Sequence, residues 1–127
     1  MASITTVDGI QFLFDLDALC AIADGDEQTG ASGTVIYGLA PKGLRVNESI
    51  DAVLQRLGLT SAFAKFTRAD GSLVLVNGKS VNVARQPFAG EYAPEVRSVI
   101  FTDVLTLGVH EQLDEVRQAV NHAGGKL

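Results

Sequence analysis

The stretch "RADGSLVLVNGKSVNVAR", residues 68–85, decides how this chain is read. Two turn signals, Asp70-Gly71 and Asn77-Gly78, bracket the run 72–76. Asp-Gly and Asn-Gly supply the positive φ that two-residue hairpin turns require. The stretch therefore reads as strand, turn, strand, turn, strand, over 62–69, 72–76 and 79–84. A looser version, "TVDGIQFLFDLDALCAIA", already stands at 6–23. Sliding Asp8-Gly9 onto Asp70-Gly71, a shift of 62, lays one strand-turn-strand pattern on the other.

The match continues downstream. "TVIYGLAPKGLRVNESIDAVLQRL" (34–57) meets "SVIFTDVLTLGVHEQLDEVRQAV" (98–120), with Val35-Ile36 on Val99-Ile100 at a shift of 64 and Val46, Glu48, Asp51 and Val53 on Val109, Glu111, Asp114 and Val116 at 63. Loops of unequal length explain such drift, so the chain reads as an internal duplication. The expected fold class is α+β: a β-meander-plus-helix (ββββα) module present twice, over 1–58 and 59–127, mostly antiparallel and pseudo-two-fold. Modules near 60 residues bury little surface alone, so the two are expected to share a core.

Local chemistry supports each element. Ala40-Pro41-Lys42-Gly43 is a turn in which proline presets φ. Ile50, Val53, Leu54 and Leu57 form one helical stripe, with Asn47 or Ser49 placed to cap it and Gly58 to end it. The second helix, roughly Glu111–Asn121, carries Leu113, Val116 and Val120 on its stripe and acids at its positive end. His110 aligns with Asn47 and so reads as a cap. The tail 121–127 is expected to fray.

Composition narrows the function. Of 127 residues, 46% are hydrophobic and 20% charged, which excludes a disordered chain. The formal charge is −5, and no three Lys or Arg adjoin, which argues against a general phosphate-backbone binder. Cys20 stands alone among apolar residues and reads as a buried thiol. No run reaches the 18 or so apolar residues needed to span a bilayer, and the first residues lack a signal-peptide pattern. The expected setting is cytoplasmic or virion-associated, away from membrane.

Candidate chemistries fail on their spacing. Gly78-Lys79-Ser80 resembles the end of a phosphate loop, but Leu73 stands where the earlier glycine belongs. Asp24 and Asp26 occupy the first positions of a calcium loop, yet Thr29 and Val35 replace its glycine and closing acid. His110 and Asp114 lie four apart and could share a helix face, with Glu111 beside them, for acid-base work, although capping explains His110 and Asn47 with one cause. Asn47-Glu48-Ser49 matches a glycosylation acceptor, but without a secretory signal that match is empty and the stretch reads as a helix cap. Neither histidine has a metal-ligand partner at the right spacing, and Ser49 and Ser80 lack a nucleophile-elbow context. We therefore expect no enzyme, no cofactor and no metal.

A family pattern runs through both copies. Thr67, Arg68, Gly71, Asn77, Val99, Ile100, Val109, Glu111, Asp114, Glu115 and Val116 follow a "TRLNG" start, an Asn after an apolar run, a "VI" strand and a "V-x-E-S-x-D-E-V" helix opening. Gly9, Val35, Ile36, Val46, Glu48, Ser49, Asp51 and Val53 do so in the first copy. In these residues each copy resembles the FlbD-type family of small bacterial proteins, tied by association to flagella. The resemblance implies a small module with no catalytic residues to carry over.

The expected function is therefore a non-catalytic assembly or accessory protein, through a protein partner or self-association, such as a structural component of a phage particle or bacterial surface apparatus. Phe88 and Tyr92, on the loop "RQPFAGEYAPEV" (85–96), are the candidate partner contact; they either present aromatic area to a partner or fold back over the core. The alternative is a single-stranded nucleic-acid or transcription-associated binder using Lys65, Arg68, Lys79 and Arg85 near Phe66. A pocket between the copies for a small ligand is the third reading.

Overall fold

The computed structural model describes residues 2–26, 29–30 and 32–127. Within them the chain is α+β, with ten strands in three antiparallel sheets and two α-helices. The first half runs β1 (Ala2–Thr5), β2 (Gln11–Phe14), β3 (Ala21–Asp24), β4 (Thr34–Tyr37), β5 (Leu44–Val46) and α1 (Ile50–Leu57). The second runs β6 (Phe63–Thr67), β7 (Leu73–Asn77), β8 (Val81–Arg85), β9 (Ser98–Thr102), β10 (Thr106–Val109) and α2 (Leu113–His122). Single 3₁₀ turns, Leu16–Ala18 and Gly78–Ser80, join β2 to β3 and β7 to β8.

The Asp-Gly pairs do make hairpins. Arg68 and Ser72 close the β6–β7 loop, Arg68 N–H donating to Ser72 O at 2.8 Å and Gly71 N–H to Arg68 O at 2.9 Å. Only Gly71, at φ +87°, takes the left-handed conformation, so this is a three-residue loop with glycine last rather than a two-residue turn. Thr6, Gly9 (φ +85°) and Ile10 repeat the same bonds in the β1–β2 loop.

Asn77-Gly78 requires a correction, because β7 and β8 lie in different sheets and make no hairpin. The Asn77 side chain accepts from Lys79 N–H at 3.1 Å and donates to Leu19 O at 3.0 Å, which starts a 3₁₀ turn that crosses between sheets. Gly78 serves close approach instead of positive φ: a Cβ there would stand 2.5 Å from Ala123 O. The meanders thus cover only β3–β5 and β8–β10, and the hairpins β1–β2 and β6–β7 pair elsewhere.

The helices follow their stripes. Ser49 Oγ accepts from Ala52 N–H at 3.1 Å, Gly58 ends α1 at φ 69°, and Val53 and Leu54 are buried. In α2 the N-cap is Gln112, not His110; Glu115 Oε1 accepts from Gln112 N–H at 3.1 Å, while His110 Nε2 lies 3.3 Å from Ala69 O. At the end of the chain Asn121 bonds both backbone groups of Leu127, at 2.7 and 3.1 Å.

Pairing places the strands in one continuous order. The central sheet is β5-β4-β3-β7-β6, so the two halves join where β3 meets β7. Single bridges, Thr6↔Val46 and Arg68↔Val109, connect the end of the β1–β2 hairpin to β5 and the end of β6–β7 to β10. Read through these bridges, the strands run β2-β1-β5-β4-β3-β7-β6-β10-β9-β8. Registers recur between halves: Ile4↔Phe12 returns as Phe66↔Val74, Ile36↔Leu44 as Ile100↔Leu107, and Ile22↔Ile36 as Ala84↔Ile100.

Two apolar cores result, each built on one half and completed by the other. The first gathers Ile4, Phe14, Ile22, Ile36, Val46, Val53 and Leu54, and takes Phe63 and Leu75 from the second half. The second gathers Phe66, Val74, Val76, Ile100, Val109, Val116 and Val120, and takes Cys20, Ala21 and Ala23 from the first. Strand alternation explains the exchange: in β3, Ile22 faces its own core while Ala21 and Ala23 face the other. Each fully buried Val, Leu, Ile or Phe contributes roughly 1.5–3 kcal/mol of transfer free energy, so the β3–β7 junction is a major part of the fold.

Candidate contact surface

The loop after β8 separates the two aromatic candidates. Phe88 is 70% exposed, whereas Tyr92 is half-buried and lies over β10, where a Cβ on Gly108 would come within 2.8 Å of its ring. Gly108 therefore makes the seat for Tyr92, and of the two aromatics only Phe88 is largely exposed. Arg85 stacks on Phe88 with its guanidinium carbon 4.2 Å from the ring centroid, and stands 5.1 Å from that of Phe101. Both guanidinium ends grip Glu91, at 2.8 and 2.7 Å, and Phe88 N–H donates to the same carboxylate at 3.0 Å. The Arg85 fork first, and then the Phe88 N–H, bring the Glu91 pKa down to about 2. Phe88 is thus held by a small ion-paired cluster beside the end of β8.

The other singled-out residues scatter. Arg68 is buried and donates to Ser72 Oγ, Gly25 O and Asp24 O at 2.8, 2.9 and 2.6 Å, clamping the end of β3. With Arg85 gripping Glu91 and Phe66 in the core, Lys65 and Lys79 are the exposed remainder of the basic set. Glu111 accepts from Thr67 N–H and Oγ1 at 2.9 and 3.0 Å, while Asp114 stands 3.7 Å from Arg117. His110, Glu111 and Asp114 are not brought together. Cys20 is buried, and that burial raises its thiol pKa. The calcium-loop pattern of 24–35 includes 27, 28 and 31, which lie outside the described residues. Among the described residues no three His, Cys, Asp or Glu converge on one point, and no helix is long and apolar enough to cross a membrane. A cleft of about 340 Å³ does lie between the halves, lined in part by Tyr37, Pro41, Arg68, Val104 and Leu107.

The two ends of the strand order are not legible in the sequence. Among the described residues nothing pairs with the outer edge of β2 or of β8. Both edges show apolar side chains: Leu13 is 66% exposed on β2, and Val83 is 50% exposed on β8. Ile10 extends the first patch at 57%. The signal was present but mute without topology, because Leu13 and Leu75 are the same residue at a shift of 62 and only Leu75 is buried. No family model, curated protein or solved structure matches the chain.

Proposed function

We propose that this chain is a non-catalytic assembly or accessory protein that works through protein–protein contacts. The pair of open apolar edges, β2 and β8, carries the reading. An unpaired strand edge presents rows of N–H and C=O groups that template another strand, and proteins blunt such edges with charge, proline or bulges. β2, "QFLF", has no charge or proline, while β8 has one register irregularity near Asn82 and ends in Arg85. Phe88, held outward beside β8, adds aromatic area of the kind that anchors interfaces.

The repeated registers also support reading the two halves as tandem copies of one module. The FlbD-type resemblance, and a place in a phage particle or bacterial surface apparatus, belong to the same proposal and rest on the sequence pattern and small size. Native mass spectrometry across a concentration series, beside affinity purification with and without nuclease, tests it. A discrete multimer or a stoichiometric protein partner that survives nuclease is expected. A lone monomer that captures only nuclease-sensitive material would overturn it in favour of nucleic-acid binding.

A further inference from the structure

We propose that β2 of one copy of this chain adds to β8 of a second copy, antiparallel, with Phe14 opposite Val83, Leu13 opposite Ala84 and Phe12 opposite Arg85. This deepens the assembly reading and rests on it, naming the partner as the chain itself.

The register comes from the junction the chain already makes. Within one molecule β3 and β7 pair as Ala21↔Val76, Ile22↔Leu75 and Ala23↔Val74. The meander registers place Ala21, Ile22 and Ala23 in correspondence with Val83, Ala84 and Arg85, since their partners Tyr37, Ile36 and Val35 correspond to Phe101, Ile100 and Val99. The hairpin registers likewise place Val74, Leu75 and Val76 in correspondence with Phe12, Leu13 and Phe14. Carrying the observed pairing across both correspondences gives the pairing proposed, and its strands are the two ends of the strand order.

Burial points the same way. Leu75 inserts into the core of the first half and is 9% exposed, whereas its counterpart Leu13 is 66% exposed. Ala21 is wholly buried against the second half, whereas its counterpart Val83 is 50% exposed. These two side chains are what the proposed junction would cover. Leu13 would then lie beside Ala84, which packs against the second core, as Leu75 lies beside Ile22 in the first.

The new junction is weaker than the internal one. Arg68 clamps the end of β3 in the internal junction, but its counterpart is Thr6, whose Oγ1 accepts from Ile10 N–H. Arg85, standing where Ala23 stands, enters the junction already paired to Glu91. Because the two edges differ, the contact is head-to-tail, and it propagates to a ring or a filament.

Single variants Leu13→Cys and Ala84→Cys of the full chain, mixed in dilute solution, concentrated and oxidised, test the register. Directly opposed Cβ atoms in an antiparallel pair lie about 4.5–5.5 Å apart, close to disulfide reach after small adjustment. Cys20 is buried and is retained. The expected result is a covalent dimer in the mixture alone, mapped by mass spectrometry to 13–84, with neither variant dimerising by itself. Dimers from Leu13→Cys alone would mean that two β2 edges pair and would overturn the proposal. Wild-type multimers with no 13–84 disulfide, or a monomer bound to a different protein, would overturn it and leave the assembly reading standing. A monomer with no protein partner at any concentration would overturn both.

Discussion

Leu13→Ala and Leu75→Ala remove the same atoms from corresponding strands, and the structure assigns them different costs. Leu75 is 9% exposed in the first core, where Leu→Ala costs about 2–5 kcal/mol; a place beside the sheet junction points to the lower half of that range, about 2–3 kcal/mol. Leu13 is 66% exposed, so about one third of a transfer difference near 2.4 kcal/mol is at stake, about 0.8 kcal/mol, with no cavity term. The difference is about 1.2–2.2 kcal/mol. Urea unfolding followed by far-UV circular dichroism in dilute solution reads it. With a slope of about 1–3 kcal/mol per molar urea, the two midpoints separate by on the order of 1 M. At high protein concentration the cost of Leu13→Ala grows while that of Leu75→Ala holds. Equal midpoint losses in dilute solution would refute the reasoning, because Leu13 would then be as buried as Leu75 and β2 would not be an open edge.

Other positions give sharp contrasts. Gly78→Ala drives a Cβ to 2.5 Å from Ala123 O and 2.7 Å from Val120 O, both backbone, and should cost about 1–3 kcal/mol in thermal unfolding. Gly71→Ala meets no atom within 4 Å and bears only the strain of φ +87°, about 1–2 kcal/mol, with no disturbance of α2 in NMR shifts. Asn77→Leu leaves the buried Leu19 carbonyl without its 3.0 Å donor and should cost about 1–3 kcal/mol, seen as a lower Tm. Because the Glu91 pKa is depressed to about 2, its pairing contributes at pH above the ordinary carboxylate range and is lost as pH falls from about 4.5 toward 2. An NMR titration of the Glu91 carboxyl should give that low midpoint, and Arg85→Gln should return it toward 4.5.

Elements governed by neighbouring residues were legible in the sequence. Ser49, Val53, Leu54 and Gly58 spell out α1 because capping, stripe and stop act within a few residues. Asp70-Gly71 and Asp8-Gly9 announce hairpins for the same reason. Asn77-Gly78 was ambiguous, since an Asn that favours a hairpin turn equally caps a 3₁₀ turn, and the α2 backbone that crowds Gly78 lies more than 40 residues on. Tyr92 and Phe88 could not be told apart because the seat for Tyr92 is Gly108, on another strand. The open edges were hidden more deeply still: which strands are covered depends on β3 meeting β7, a pairing that no local pattern encodes.

Hydrogen–deuterium exchange on the wild-type chain at two protein concentrations is the most direct test of the claim that β2 and β8 are contact edges. Amides of β3 and β7 are expected to be protected at both concentrations, while outward amides of β2 and β8 exchange fast when dilute and become protected together when concentrated. Multimers that protect other surfaces and leave β2 and β8 exchanging fast would contradict it.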